Sequence, residues 1–365
     1  MKNTFGNSVS LTIFGESHGV EIGAVLDGMA PGLAVDCEFI AAQMDKRRAK
    51  GSISTGRTEA DEVIISSGVF NGMTTGTPIC FTIKNNNTRS RDYSETRSVA
   101  RPGHADYTAY CKYHGYEDYR GGGHFSGRVT APIVAAGAVA IHALKARGIH
   151  IGTHIKRLAG VPDREFENTL EDVLSLEKMD FAVLDPAVEE KMKEAISEAA
   201  AEGDSVGGIL ETAVTGLPAG LGEPWFDSFE SVVSHILFSV PAVKGVQFGK
   251  GFEMADMRGS EANDPLRLED GRIITATNNN GGINGGITNG MPVVFSCAVK
   301  PTPSIYKEQS TVDFADLENK QLSIKGRHDP CIVHRARVVV DSAVALSVCD
   351  MLALRFGTDW LKNND

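Results

Sequence analysis

Between Arg101 and Arg128 the chain reads RPGHADYTAYCKYHGYEDYRGGGHFSGR. Three of its ten histidines fall here (His104, His114 and His124), together with Arg101, Arg120, Arg128 and the run Gly121 to Gly123. Each residue type has a use at a site that binds anions and moves protons. Arginine grips carboxylate or phosphate through two parallel hydrogen bonds. Histidine titrates near neutral pH and can give or take a proton. Bare glycine lets backbone N–H groups come close to a ligand. A solvated loop over a tyrosine-lined helix is the plainer reading. Against it, packed cores seldom collect so many groups that need partners.

Further candidates lie far away in sequence. His18 sits in Gly15-Glu16-Ser17-His18-Gly19, at the end of an alternating strand. Lys46, Arg47, Arg48 and Lys50 end a helix, where cations also suit the macrodipole, and Arg57 closes the small-residue loop that follows. The polar turn Gly326-Arg327-His328-Asp329-Pro330 precedes His334 and Arg335. Together these form a proton-transfer set inside an arginine cage. The substrate they imply is small and multiply anionic, a phosphate ester bearing carboxylates, with a histidine protonating or stabilising phosphate as it leaves. No serine or cysteine triad appears by spacing, and no carboxylate cluster resembles a magnesium site. His150 and His154 share a strand face but have no third ligand in view, so no metal is expected. Neither nucleotide-binding glycine fingerprint is present. Spacing leaves hydrolysis, elimination and transfer all open.

The elements that must position these residues follow from periodicity. Alternation or short apolar runs predict strands at Ser8 to Phe14, Ile22 to Leu26, Glu62 to Phe70, Ile79 to Lys84, Ile149 to Leu158, Gly208 to Thr215 and Pro292 to Val299. Asp36 predicts a helix cap, with the helix running to about Lys50. Tyr107, Tyr110 and Tyr113 mark a short helix with an aromatic side. Thr130 to Arg147 is an alanine-rich apolar helix fed by the glycine run, which makes its N-terminus a ready anion site. Asp227 to Glu230 resembles a capping box, opening a helix through Leu237. A second glycine loop spans Asn278 to Gly286, and an apolar helix runs from Ala336 to Arg355. The glycine loops are widely separated, which favours one domain over residues 1–360 whose loops meet at one site, with 361–365 as a tail.

Of the net charge of −11, the segment from Asp163 to Asp204 carries −10, with fourteen acids against four bases. The segment, including a charged helix over about 189–202, is expected to be an exposed excursion. Its acidity says little about the substrate and argues against nucleic acid as a partner. Six scattered cysteines without a C-x-x-C pair fit a reducing compartment. No signal peptide and no run of about 18 apolar residues is apparent. A soluble, cytoplasmic protein without a membrane partner is expected.

Four stretches resemble the chorismate synthase family: Phe14 to Gly19, Arg101 to Asp106, Asp118 to Arg128 and Gly326 to Cys331. The resemblance spans nearly the whole chain. It implies an α/β (α+β) fold, a single-domain β-α-β sandwich with helices packed against antiparallel-rich sheets, assembled as a homotetramer. It also implies a carbon–oxygen lyase that eliminates phosphate from 5-enolpyruvylshikimate 3-phosphate in an anti-1,4 sense, giving chorismate at the end of the shikimate pathway. The reaction requires reduced FMN without net redox change, and NADPH enters only indirectly, through flavin reduction. By motif, His18 protonates the leaving phosphate, His104 manages charge beside the flavin, and Asp329 helps the flavin N5 act as base. Arg47, Arg48, Arg57, Arg101, Arg128 and Arg335 hold the substrate. Flavin contacts fall on His124, Phe125, Ser126, Pro241, Ala242, Gly281, Gly282, Lys300, Pro301, Thr302, Pro303, Ser304 and Arg327. Two departures stand out. His124-Phe125-Ser126 replaces the Arg-Ser-Ser type of run in many relatives, and the loop from Gly51 to Thr55 lacks an arginine that many carry. A histidine-dependent phosphohydrolase without flavin is the main rival, although such enzymes want Arg-His-Gly where this chain has Ser17-His18-Gly19. A non-catalytic flavin- or anion-binding protein is the other.

Overall fold

The computed structural model describes residues 2–51, 53–54, 61–86, 97–324 and 328–362. Two five-stranded sheets enclose a layer of helices. The first contains β1 (Thr4–Phe5), β2 (Ser10–Gly15), β3 (Glu21–Asp27), β4 (Val63–Ser67) and β5 (Ile79–Lys84), in the order β1-β2-β3-β5-β4. The second contains β6 (His150–Leu158), β7 (Val161–Pro162), β8 (Gly208–Thr215), β9 (Val243–Phe248) and β10 (Val293–Val299), in the order β9-β10-β8-β6-β7. Every pairing in both sheets is antiparallel.

Between the sheets run α3 (Ala131–Ala146) and α7 (Val333–Phe356), packed on each other. A helix that is apolar on all sides must be covered on all sides. That condition holds for α3, buried at thirteen of its sixteen positions, and for α7, buried from Val338 to Ala353. The helical stretch Arg120–Ala146, which ends in α3, is long and apolar enough to cross a membrane by composition, yet its apolar part is mostly buried in the core. One continuous apolar cluster joins Leu11 in the first sheet, Val139 in α3, Val344 in α7 and Phe295 in the second sheet. α1 (Cys37–Arg47) is capped by Asp36, whose Oδ1 accepts from the N–H groups of Glu38 and Phe39. α2 (Asp106–Tyr113) lays Tyr107 and Tyr110 against Phe314.

Several expectations shift. The strand expected over Glu62 to Phe70 breaks at Gly68, after which Val69–Phe70 leaves the sheet to pair with Met73–Thr74. The cap of α6 (Phe229–Ser239) is Ser228, whose Oγ accepts from Ser231 N–H at 3.1 Å, so Asp227 and Glu230 form no box. The acidic segment is only partly an excursion. α4 (Thr169–Leu176) packs on β6, and α5 (Glu189–Ala201) buries Met192 and Ile196. Phe181 to Leu184 are buried as well, so apolar residues spaced among the acids anchor the segment. His154 is bound within this layer. Its Nδ1 donates to Asp163 at 2.8 Å and its Nε2 to Glu211 at 3.1 Å.

Candidate active site

Segments beside both sheets, the end of α1 and the N-terminal end of α7 surround a cavity of about 1390 Å³. A single small ligand usually occupies roughly 300–1,000 Å³. The cavity is larger than a usual single-ligand site.

The glycine run folds as a kinked turn over Arg120–Phe125, with Gly121, Gly122 and Gly123 at φ of 60°, 86° and 52°. Glycine adopts these values without Cβ strain. At Gly121 glycine is also a steric requirement, since a Cβ there would lie 2.1 Å from Cε1 of His18. His18 is thus packed directly behind the turn and is itself buried. The Ser17 hydroxyl lies 3.1 Å from His18 Nδ1 and within 3.2 Å of the Arg120 and Gly121 carbonyls. Ser17 N–H donates to Gly123 O at 3.1 Å, and His124 Nδ1 donates to Gly15 O at 2.8 Å. The loop after β2 and the glycine turn therefore hold each other. His124, at the position of one departure, acts as the tie and also faces the cavity.

The arginines arrive from separate elements, each anchored. Arg47, at the end of α1, donates from Nε to Thr130 Oγ1 at 3.0 Å, from Nη1 to Asp61 at 3.1 Å and from Nη2 to Gly127 O at 2.9 Å. Arg128 is buried and donates to Asp61, to Asn85 Oδ1 at 3.1 Å and to Lys84 O at 3.3 Å. Arg101 grips Asp106 with two parallel bonds of 2.8 and 2.7 Å. Burial pushes the Asp106 carboxyl up, but the bonds to Arg101 outweigh it and hold the group below the usual range. From the start of α7, Arg335 donates to Asp329 and, at 3.5 Å, to Arg47 O.

His104 bonds Ser304 Oγ through Nε2 at 2.7 Å. Burial first, and the Arg101 charge second, lower its pKa to about 4, so the ring is neutral at neutral pH. Lys300 Nζ donates to Gly103 O at 2.6 Å and fixes the turn that carries His104. The α6–β9 turn contributes Pro241 and Ala242, the latter at φ 75°, an uncommon value for a residue with a Cβ.

The cavity wall thus gathers Arg47, Arg48, Arg101, Arg128, Arg335, His104, His124, Phe125, Ser126, Pro241, Ala242, Lys300, Thr302, Pro303 and Asp329. His18 stands behind Gly121, and Ser304 is reached through His104. Pro301, Gly281 and Gly282 are not on the wall. Gly281 is packed against the backbone of Gly249 and Val294, and Gly282 against Pro292, so close packing alone accounts for glycine at both. Arg57 and Arg327 lie outside the described residues. Sequence reasoning missed Asp61, Asn85 and Thr130, which orient the arginines. Their only signal is proximity to strand or helix ends, which many polar residues share.

Residues 9–353 match the family model described as chorismate synthase. The chain is similar to the chorismate synthase of Pyrococcus abyssi (strain GE5 / Orsay), at 47% identity over 96% of this chain and 97% of the relative. It is also similar to that of Dehalococcoides mccartyi (strain ATCC BAA-2266 / KCTC 15142 / 195), at 44% identity over 98% of both chains. A crystal structure of chorismate synthase superposes with a TM-score of 0.76 at 28% identity, covering 96% of this chain and 94% of the other.

Proposed function

The chain belongs to the chorismate synthase family, and we propose that the arginine- and histidine-lined cavity is where it converts 5-enolpyruvylshikimate 3-phosphate into chorismate. The enzyme is a carbon–oxygen lyase of the shikimate pathway, which supplies aromatic amino acid biosynthesis. The observation that carries the assignment of the site is convergence. Segments 101–128, 238–244, 300–303 and 329–339, with the end of α1, meet at one space larger than a usual single-ligand site.

In the reaction the C3–O bond to phosphate breaks, C6 loses a proton, and the C6–H electron pair ends in the new diene, so no net oxidation occurs. The family uses reduced FMN, which when bound would lend an electron transiently to the substrate to help the C3 phosphate depart. Phe125, Pro241, Ala242 and Pro303 offer an apolar wall for a planar ring, with Lys300 and Thr302 beside it for polar groups. Arg47, Arg48, Arg101, Arg128 and Arg335 hold the phosphate and carboxylates of the substrate. His18 supplies the proton to the leaving phosphate from behind Gly121, and the Ser17 hydroxyl orients its ring. Asp329, on the cavity wall and bonded to Arg335, would help the flavin N5 act as the base for the C6 proton. His104 enters neutral, and an anionic ligand beside it raises its pKa and lets it take up a proton. Reduced flavin comes from another source, with NADPH acting only there.

Residues 1–360 act as one domain, supported by the continuous core. The protein works as a homotetramer in the cytoplasm. Assembly is supported by the hairpin Leu266–Glu269/Arg272–Thr275, where exposed Leu266, Leu268 and Ile273 share one face. Six unpaired cysteines suit a reducing compartment.

An anaerobic assay with reduced FMN and substrate, following chorismate and phosphate together, tests the chemistry. Phosphate without chorismate, or chorismate without flavin, overturns it. His18→Ala and Asp329→Asn are expected to bind FMN and substrate but to turn over at least ~100-fold more slowly, the usual scale of acid–base catalysis. Near-normal turnover in both removes these role assignments.

A further inference from the structure

Asp61 is the most enclosed charge at the cavity, with 1% of its side chain exposed. It lies between two arginines that come from different directions. Arg47 Nη1 donates to Oδ2 at 3.1 Å, and Arg128 Nη1 donates to Oδ1. The two carboxylate oxygens are thus divided between two guanidinium groups. Each guanidinium is then fixed again on other elements, Arg47 on Thr130 and Gly127 and Arg128 on Asn85 and Lys84. Through this one carboxylate the end of α1, the end of β5 and the segment after the glycine turn are held at set distances. A buried carboxylate is tolerated only when paired, and two guanidiniums this close repel unless an anion lies between them. The backbone at Asp61 has φ 45°, a conformation rarely held by residues other than glycine unless surrounding contacts enforce it.

We propose that Asp61 is a positioning residue for the lyase reaction: it presets Arg47 and Arg128 as one rigid surface for the anionic oxygens of the substrate. The proposal rests on the reading of these two arginines as substrate-binding. Arginine is rich in rotamers, and ordering two such side chains during folding removes that cost from binding. The consequence is specific. Loss of Asp61 weakens the grip on substrate more than it slows the chemical step, and leaves the flavin untouched.

The test is steady-state kinetics of the full chain with reduced FMN under anaerobic conditions, with FMN affinity measured separately by flavin titration. The variants are Asp61→Asn, Arg47→Lys, Arg128→Lys and the double Asp61→Asn/Arg128→Lys. Asp61→Asn is expected to raise KM for 5-enolpyruvylshikimate 3-phosphate at least ~10-fold, with kcat and FMN affinity within ~3-fold of the parent. Because Asp61 acts through both arginines, its effect on KM and that of Arg128→Lys are expected to be less than additive in the double variant, with the remainder coming through Arg47. Raised KM in the lysine variants with normal KM in Asp61→Asn overturns the proposal and leaves the arginine reading standing. Normal KM in both lysine variants overturns the arginine reading itself. Parallel loss of kcat, KM and FMN affinity in Asp61→Asn marks a merely structural role and also overturns the proposal. Where Asp61→Asn does not fold, Asp61→Glu takes its place. It keeps the charge but displaces it by one methylene, so positioning requires a raised KM and an unchanged KM is against it.

Discussion

His104 and His154 are both largely enclosed, both hydrogen-bonded and both near charges, yet they are opposites. His104 faces a cavity, bonds one neutral hydroxyl and has a cation, Arg101, close by. Burial and that cation strip its proton. His154 lies in β6 with carboxylates on both ring nitrogens, Asp163 on one side and Glu211 on the other. Burial would depress its pKa too, but the two acceptors outweigh burial and raise it. Carboxylates on both ring nitrogens favour the imidazolium form of His154. The network continues through Glu211 to Lys156 and Ser296, while Asp163 also accepts from the N–H groups of Leu184 and Asp185. Every polar group there is matched within the protein. At the cavity the histidine is left in the state that a ligand can change.

The sharpest way to break this contrast is to remove both rings. His154→Ala leaves two buried carboxylates without their shared cation, and breaking a buried ion pair from one side costs roughly 3–5 kcal/mol. Urea denaturation is expected to show a loss of that size, with turnover of the remaining folded enzyme little changed. His104→Ala should do the reverse. Turnover falls ~100-fold, equivalent to about 2.7 kcal/mol of barrier. Stability changes by only about 1 kcal/mol, the scale of its single hydrogen bond to Ser304. Equal effects of the two variants on stability would remove the distinction.

Nothing in the sequence separates these two histidines by type. What marks His104 is its neighbourhood, an arginine three residues before it and a glycine run within twenty residues after it. His154 gives only an even spacing from His150. Its partners come from the β6–β8 register, which sets Glu211 opposite His154, and from the short β6–β7 hairpin that returns Asp163. Register is a tertiary property and has no local signal. Asp61 is illegible for the same reason, since nothing before a strand says that two arginines will converge there. The elements themselves were readable wherever one rule dominated. Alternation marked β2, short apolar runs marked β3 and β5, and apolar continuity marked α3 and α7. The acidic segment was misread because counting charge hides the few apolar anchors among the acids, such as Phe181, Met192 and Ile196.

The smallest effect, and the one that sets both sites in a single experiment, is the pH dependence of stability. The folded pKa of His154 lies above its ordinary value of about 6.5. Its contribution is therefore complete below about pH 6.5 and is lost as pH rises through the raised folded value. His104 runs the other way. Its folded pKa is about 4, so the unfolded chain binds the extra proton between about 6.5 and 4, and stability falls as pH drops through that window. Asp163 and Glu211, both held below their ordinary values by His154 and their other donors, add to the acid-side loss as pH falls through their depressed values. Denaturation midpoints of the parent chain are expected to decline on both sides of neutrality, by at most about 1.4 kcal/mol per pH unit for each titrating group. In His154→Gln the alkaline decline attributable to that ring should disappear. Between pH 6.5 and 4 the decline should persist, because His104 still takes up its proton there only on unfolding. An alkaline limb unchanged by that substitution means that His154 is not the group whose proton holds the second sheet together.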